Sequence, residues 1–150
     1  MALIDKHDHQ HLTGPAASDA AQRLTGFGHR AHFRGIAITD NRQLQRLMQR
    51  DDPAVYPGTC ATCVYNPAKA LCRQQHDARG TLRPSLGSCR PLECRNIALT
   101  ADNKAALSRE AAEITRQLAA RPLLPPLLQA RLAGRRDQIT PFLNRYPDRP

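Results

Sequence analysis

Five cysteines, Cys60, Cys63, Cys72, Cys89 and Cys94, fall within 35 residues of a 150-residue chain, spaced C-x2-C-x8-C-x16-C-x4-C. Thiolates at such spacings bind a soft or borderline metal. Zn²⁺ in particular is satisfied by four tetrahedral sulfurs, offered as two close pairs from separate turns. Cys89 and Cys94 straddle a proline-containing turn and make one pair. The other is Cys60 with Cys63, or Cys63 with Cys72. We favour Cys63, Cys72, Cys89 and Cys94, with Cys60 as a possible extra ligand. In this choice Tyr65-Asn66-Pro67 is a strand-to-turn exit, and PAKALC makes one helical turn that brings Cys72 back toward Cys63. Lys69, Arg73, Arg90 and Arg95 flank these positions and offset the dianion that four thiolates and Zn²⁺ form. His76 is an alternative ligand or a surface loop histidine. An iron–sulfur cluster uses the same thiolates, and spacing alone does not separate it from zinc.

Other chemistry is scarce. There is no HExxH, no Walker A lysine loop and no GxGxxG, and the acidic residues are scattered. A catalytic Zn²⁺ keeps one position open and leans on His or Glu, so the expected site is structural and the chain is not expected to be an enzyme. His7, His9 and His11 alternate along the N-terminal stretch, where a solvated tail is favoured over a weak metal site, and His29, Arg30, His32 and Arg34 form a small basic cluster that is equally a phosphate contact or a solvated loop.

The elements that must position the cysteines are short on core material. The chain has no Trp, three Phe and three Tyr, with twelve Pro and eight Gly. Much of its 41 % hydrophobic content is Ala, which buries little area per residue. Residues 1–17 read as a disordered polar tail and 18–54 as short helices. In the latter, Ser18 or Asp19 caps a helix through Leu24, ended by Gly26-Phe27-Gly28. Ile36 and Ile38 follow in a short strand, and Leu44, Leu47 and Met48 stripe a second helix. Residues 55–100 show almost no helical period and read as an irregular metal-binding segment that hydrophobic burial alone does not hold. Residues 101–150 read as an antiparallel helical hairpin. Leu107, Ala111, Ile114 and Leu118 stripe its first helix, capped by Thr100 or Asp102. Leu128, Leu132, Ile139, Phe142 and Tyr146 stripe the second, with Pro141 as a kink. The expected class is mostly α, a small irregular segment clamped by metal on four cysteines and followed by a two-helix hairpin.

The net charge is +9, and 19 of the 22 basic residues are Arg. Residues 1–59 are almost neutral, with seven basic and six acidic side chains, whereas 60–100 carry six against two and 101–150 nine against five. An Arg excess on the cysteine segment and hairpin suits phosphate contacts, so DNA is the expected partner. Arg73, Arg90, Arg95, Arg131, Arg135 and Arg136 are the candidate contacts. The first residues supply no apolar signal region, and no apolar run has bilayer length. The reading is therefore cytoplasmic with no membrane partner, where clustered cysteines are metal ligands or redox groups more often than disulfides.

The runs VYPGTCATCVYNPAKALC and RPSLGSCRPLECRNIALT, with FRGIAIT before them and two helices after, resemble the cysteine-bearing C-terminal region of bacterial integrase-like proteins. These belong to mobile elements and the tyrosine-recombinase group. The similarity spans about residues 27–135, and CVYNPAKALC with C-x4-C-R-N-I-A is its most specific part. It implies a cysteine-bound metal and a role beside DNA in integration or transposition, with a recombinase or transposase as partner. The catalytic domain of that group has no counterpart here: no Tyr stands in the expected context, and Tyr146 has no basic catalytic set ahead of it. The resemblance thus implies an accessory module or fragment without the catalytic part. The alternatives are a protein-interaction module using the hairpin and an iron–sulfur regulator.

Overall fold

A computed structural model describes residues 12–33, 52–74, 84, 89–120 and 123–147, with backbone alone for 28–33 and 73–74. Ala16, Ala20, Leu24 and Phe27 recur at helical spacing and are all buried. They form the inner stripe of helix α1, Ala17–Phe33. The helix does not stop at Gly26-Phe27-Gly28 as expected. Phe27 is 2 % exposed, and burying a Phe side chain offsets the roughly 1 kcal/mol that each helical glycine costs. The N-terminal tail likewise ends earlier than residue 17. Thr13 exchanges backbone hydrogen bonds with Leu99 at 3.0 and 2.8 Å, and Ala16 N–H donates to Ile97 O. Gly14 has a φ of +100°, and a Cβ there would meet Ile97 O at 2.9 Å, so only glycine fits. The expected strand at Ile36 and Ile38 and the Leu44 helix lie outside the described residues, as do the residues before Leu12.

The segment 55–100 is less irregular than its composition suggests. Strands β1 (Val55–Pro57), β2 (Thr62–Val64) and β3 (Ile97–Ala98) form an antiparallel sheet in the order β1-β2-β3. Val55 pairs with Val64, Pro57 with Thr62, and Cys63 with Ile97. Pro57 is tolerated because β1 is an edge strand. Val55, Val64 and Ala98 pack under Ala16, Ala20 and Leu24 of α1, where alanines let the helix approach closely. Periodicity could not show this sheet, since two- and three-residue strands are too short to display alternation. A single helical turn, α2 (Leu71–Gln74), follows the Pro67 turn.

Helices α3 (Ala101–Ala120) and α4 (Pro126–Arg145) form the expected hairpin. Leu107, Ile139 and Phe142 join Ile97 and Leu99 in one core, so the hairpin packs on the sheet. Leu128, expected on the inner side, is 43 % exposed, because α3 offers only Gln117, Leu118 and alanines at that level.

The α3 start is held by Thr100, as expected, but with an unforeseen partner. Thr100 Oγ1 accepts from Asn103 N–H at 3.2 Å, and Asn103 Oδ1 accepts from Thr100 N–H at 3.1 Å. This is a capping box with Asn in place of Glu. The same Asn103 amide donates to Gly58 O at 2.7 Å and Thr59 O at 3.0 Å, while its Oδ1 also accepts from Thr62 Oγ1 at 3.2 Å. Asn103 is 4 % exposed with every side-chain valence used. Replacing it with Ala takes this partner from two carbonyls, the Thr100 N–H and the Thr62 hydroxyl. We expect Asn103→Ala to lower unfolding free energy by about 2–3 kcal/mol, read by urea denaturation; a loss below about 0.5 kcal/mol would remove Asn103 from this role.

Candidate metal centre

Each candidate ligand sits where a local sequence feature turns the chain. The loop at 58–61 joins β1 to β2. It needs Gly58, whose Cβ would meet Ala61 O at 2.8 Å, and it carries Cys60. Cys63 is the central residue of β2. The Asn66 carbonyl and side chain then accept from Lys69 and Ala68 N–H at 3.0 Å each, closing the Pro67 turn that delivers Cys72. Cys94 ends a turn in which its N–H donates to Arg90 O at 3.0 Å. Asn96, 1 % exposed, joins the two halves: its amide donates to Asn66 O at 2.9 Å and its carbonyl accepts from Val64 N–H at 2.7 Å.

Cys72 and Cys94 are buried, each 8 % exposed, and Cys60, Cys63 and Cys89 are half-buried. Cys63 packs with Tyr65, Ala70 and Cys72, while Cys94 lies with Ile97 and Leu99. An open cavity of about 650 Å³ is lined by Cys60, Cys63 and Cys89 together with Tyr56, Pro91 and Ile97. The thiol of Cys63 is pushed up from 9.0 to about 12, first by burial and then by the nearby sulfurs of Cys89, Cys94 and Cys72. Burial, Cys94 and Cys72 raise Cys89 as well. Cys63, Cys72, Cys89 and Cys94 therefore form one electrostatic neighbourhood.

Cys60 also lines this cavity and packs against the core that holds Cys94. Its Sγ donates to Glu110 Oε2 at 3.9 Å, and Glu110 accepts two hydrogen bonds from Arg135, at 2.8 and 3.1 Å. The Glu110 hydrogen bond raises the pKa of Arg135 against the opposing effect of burial. No group of three or more His, Cys, Asp or Glu among the described residues is already arranged to hold a metal ion. In the thiol form each sulfur packs as a small apolar group. His76 lies outside the described residues.

The cations are placed differently from the expectation. Lys69 pairs with Asp19 of α1 at 3.3 Å and Arg90 with Glu93 at 3.6 Å. The side chain of Arg73 is outside the described set. Arg23 of α1, which the sequence reading passed over, donates to Tyr65 O at 2.9 Å and Ala54 O at 3.3 Å. It is the positive charge that pulls the Cys63 thiol back down. An arginine one position before a core leucine was the only available signal. Among the candidate phosphate contacts, Arg135 is bound to Glu110 and Arg136 pairs with Asp137, both at 2.8 Å. Arg95 and Arg131 are exposed and make no ion pair among the described residues.

Among the described residues no helix is long and apolar enough to cross a membrane. No protein-family model, curated protein or solved structure matches the chain.

A raised pKa means that the folded, metal-free protein keeps the Cys63 proton, so its nucleophilic thiolate is scarce at about pH 8. With a chelator present, iodoacetamide should alkylate Cys63 at least about ten-fold more slowly than a free cysteine. The rate should climb as pH approaches about 12. Peptide mapping checks this, and a rate equal to that of free cysteine would refute it.

Proposed function

We propose that this chain is a zinc-binding, non-catalytic module that contacts DNA in a mobile-element integrase or recombinase system. The observation that carries the metal part is the mutual influence of Cys63, Cys72, Cys89 and Cys94, with the Cys60 thiol hydrogen-bonded to Glu110. Drawn together, four sulfurs from β2, the Pro67 turn and the Cys89–Cys94 turn would make a closed, four-thiolate set that suits a structural rather than a catalytic ion. Cys63, Cys72, Cys89 and Cys94 would hold the ion after losing their protons and drawing together, which couples metal binding to local folding. A reducing cytoplasm would keep them available. The resemblance to the cysteine-bearing region of integrase-like proteins supports the setting, and the Arg excess supports DNA. A recombinase or transposase would supply the chemistry, since the described residues form no recognisable catalytic set.

Elemental analysis of anaerobically purified protein tests the centre. We expect about one Zn²⁺ per chain. Iron with matching sulfide would move the protein to the iron–sulfur regulators, and no metal would end the proposal. Cys89→Ser and Cys94→Ser should lose the metal and unfold residues 55–100, whereas Cys60→Ser should keep it.

DNA contact makes a separate prediction. Affinity for generic duplex should fall steeply between about 50 and 200 mM salt as counterions are released. Changing Arg95 and Arg131 together to Gln should reduce the log–log salt slope by about 2. Binding that ignores salt would sink phosphate contact.

One observation favours a second reading, a protein-interaction module. At the hairpin tip Leu123 is 96 %, Leu127 71 % and Leu128 43 % exposed, an apolar end that phosphate contacts leave unexplained. A hairpin that failed to shift DNA at low salt would favour this reading.

A further inference from the structure

We propose that Arg23 is the outer-sphere cation of the four-cysteine centre, offsetting the negative charge that the sulfurs bring to a bound divalent metal. The inference rests on the metal reading above. A divalent ion with four thiolates is a dianion, and a half-buried site does not hold such a charge without compensation. Something positive must stand near it and stay there. Two of the flanking cations suggested by the sequence are engaged elsewhere, Lys69 with Asp19 and Arg90 with Glu93.

Arg23 meets both requirements. Its Nη1 alone donates to both Ala54 O and Tyr65 O, at 3.3 and 2.9 Å, and Tyr65 packs in one small core with Cys63 and Cys72. These residues lie just beyond the Val55–Val64 pair, where Tyr65 N–H also donates to Ala54 O at 2.8 Å. Arg23 thus closes the open end of the β1–β2 ladder, and its anchor Tyr65 follows Cys63 by a single intervening residue. Ala54, the other anchor, has a φ of +54°, a left-handed conformation that disfavours a non-glycine residue. Asp52 holds it there by accepting from Ala54 N–H and Tyr56 Oη–H, both at 2.8 Å. On the helix side, Ala20, Leu24 and Phe27 fix α1 against the core. The guanidinium is therefore preorganised. Its hydrogen bonds go to these two carbonyls and not to a ligand sulfur, so its role is positioning and electrostatic.

The test compares full-length wild type with Arg23→Gln and Arg23→Lys in Zn²⁺ competition against a chromogenic chelator, with circular dichroism confirming the fold. Arg23→Gln should weaken Zn²⁺ binding about ten-fold, the low end of the usual effect of losing an outer-sphere partner. It should also raise the pH at which half the metal is released, because proton competition gains when the cation is lost. Arg23→Lys keeps the charge but loses the fork, and should stay within about three-fold of wild type on the same scale. Arg23→Gln binding as tightly as wild type would overturn the inference while leaving the metal centre standing. Arg23→Lys as weak as Arg23→Gln would reduce Arg23 to a clamp on two carbonyls and overturn its electrostatic role. Wild type that takes no Zn²⁺ would remove the metal centre itself, and this inference with it.

Discussion

Asn103 is the joint through which the sheet, the cysteine loop and the helical hairpin are held to one another. It supplies two donors to the 58–59 carbonyls and accepts twice, from Thr100 N–H and Thr62 Oγ1. The Thr62 hydroxyl, which is buried, would cost about 1–3 kcal/mol if left alone. An Asp would put a second oxygen against the two carbonyls, and a Gln would overreach by a methylene. The constraint is strong because little else spans this gap. A core built from Ile97, Leu99, Leu107, Ile139 and Phe142 is small for the number of elements that meet on it.

The cysteines occupy the seam between that core and the smaller one around Tyr65 and Ala70. Burial and mutual proximity favour the protonated thiols, so the same features that gather the sulfurs also oppose their ionisation. A metal would resolve the conflict by turning mutual repulsion into shared attraction. The polypeptide around the seam is fixed mainly by asparagines. Asn66 closes the Pro67 turn, Asn96 ties it to the Cys94 turn, and Asn103 secures the Cys60 loop. Amides do this well because each carries donors and an acceptor without adding charge next to sulfur.

Charge in the hairpin divides into structural and available parts. Arg135, Arg136 and Arg116 are engaged with Glu110, Asp137 and Glu113. The Glu113 carboxyl is held below its usual range, chiefly by hydrogen bonds from Gln117 and Arg116. Arg95 and Arg131 are exposed and make no ion pair among the described residues. Several of the arginines behind the net charge of +9 are therefore already paired within the hairpin.

The helical hairpin was legible in the sequence, since the Leu107–Leu118 and Ile139–Tyr146 stripes repeat with the helix and proline stops the chain between them. So was the Pro67 turn that returns Cys72 toward Cys63, because Asn-Pro followed by a short apolar run has few other conformations. Both are local properties, and a 3.6-residue period or a proline ring acts without help from the rest of the chain. The three-stranded sheet was not legible. Its strands are too short for alternation, and they are selected by partners as far apart in the chain as Thr62 and Ala98. Nor was the course of α1 through two glycines, which burial of Phe27 decides. The contact of Cys60 with Glu110, and the reach of Arg23 from α1 to Tyr65, depend on which side chains converge after folding. That convergence belongs to the tertiary structure, since electrostatic and hydrogen-bond partners are set by distance in space and carry no period along the chain.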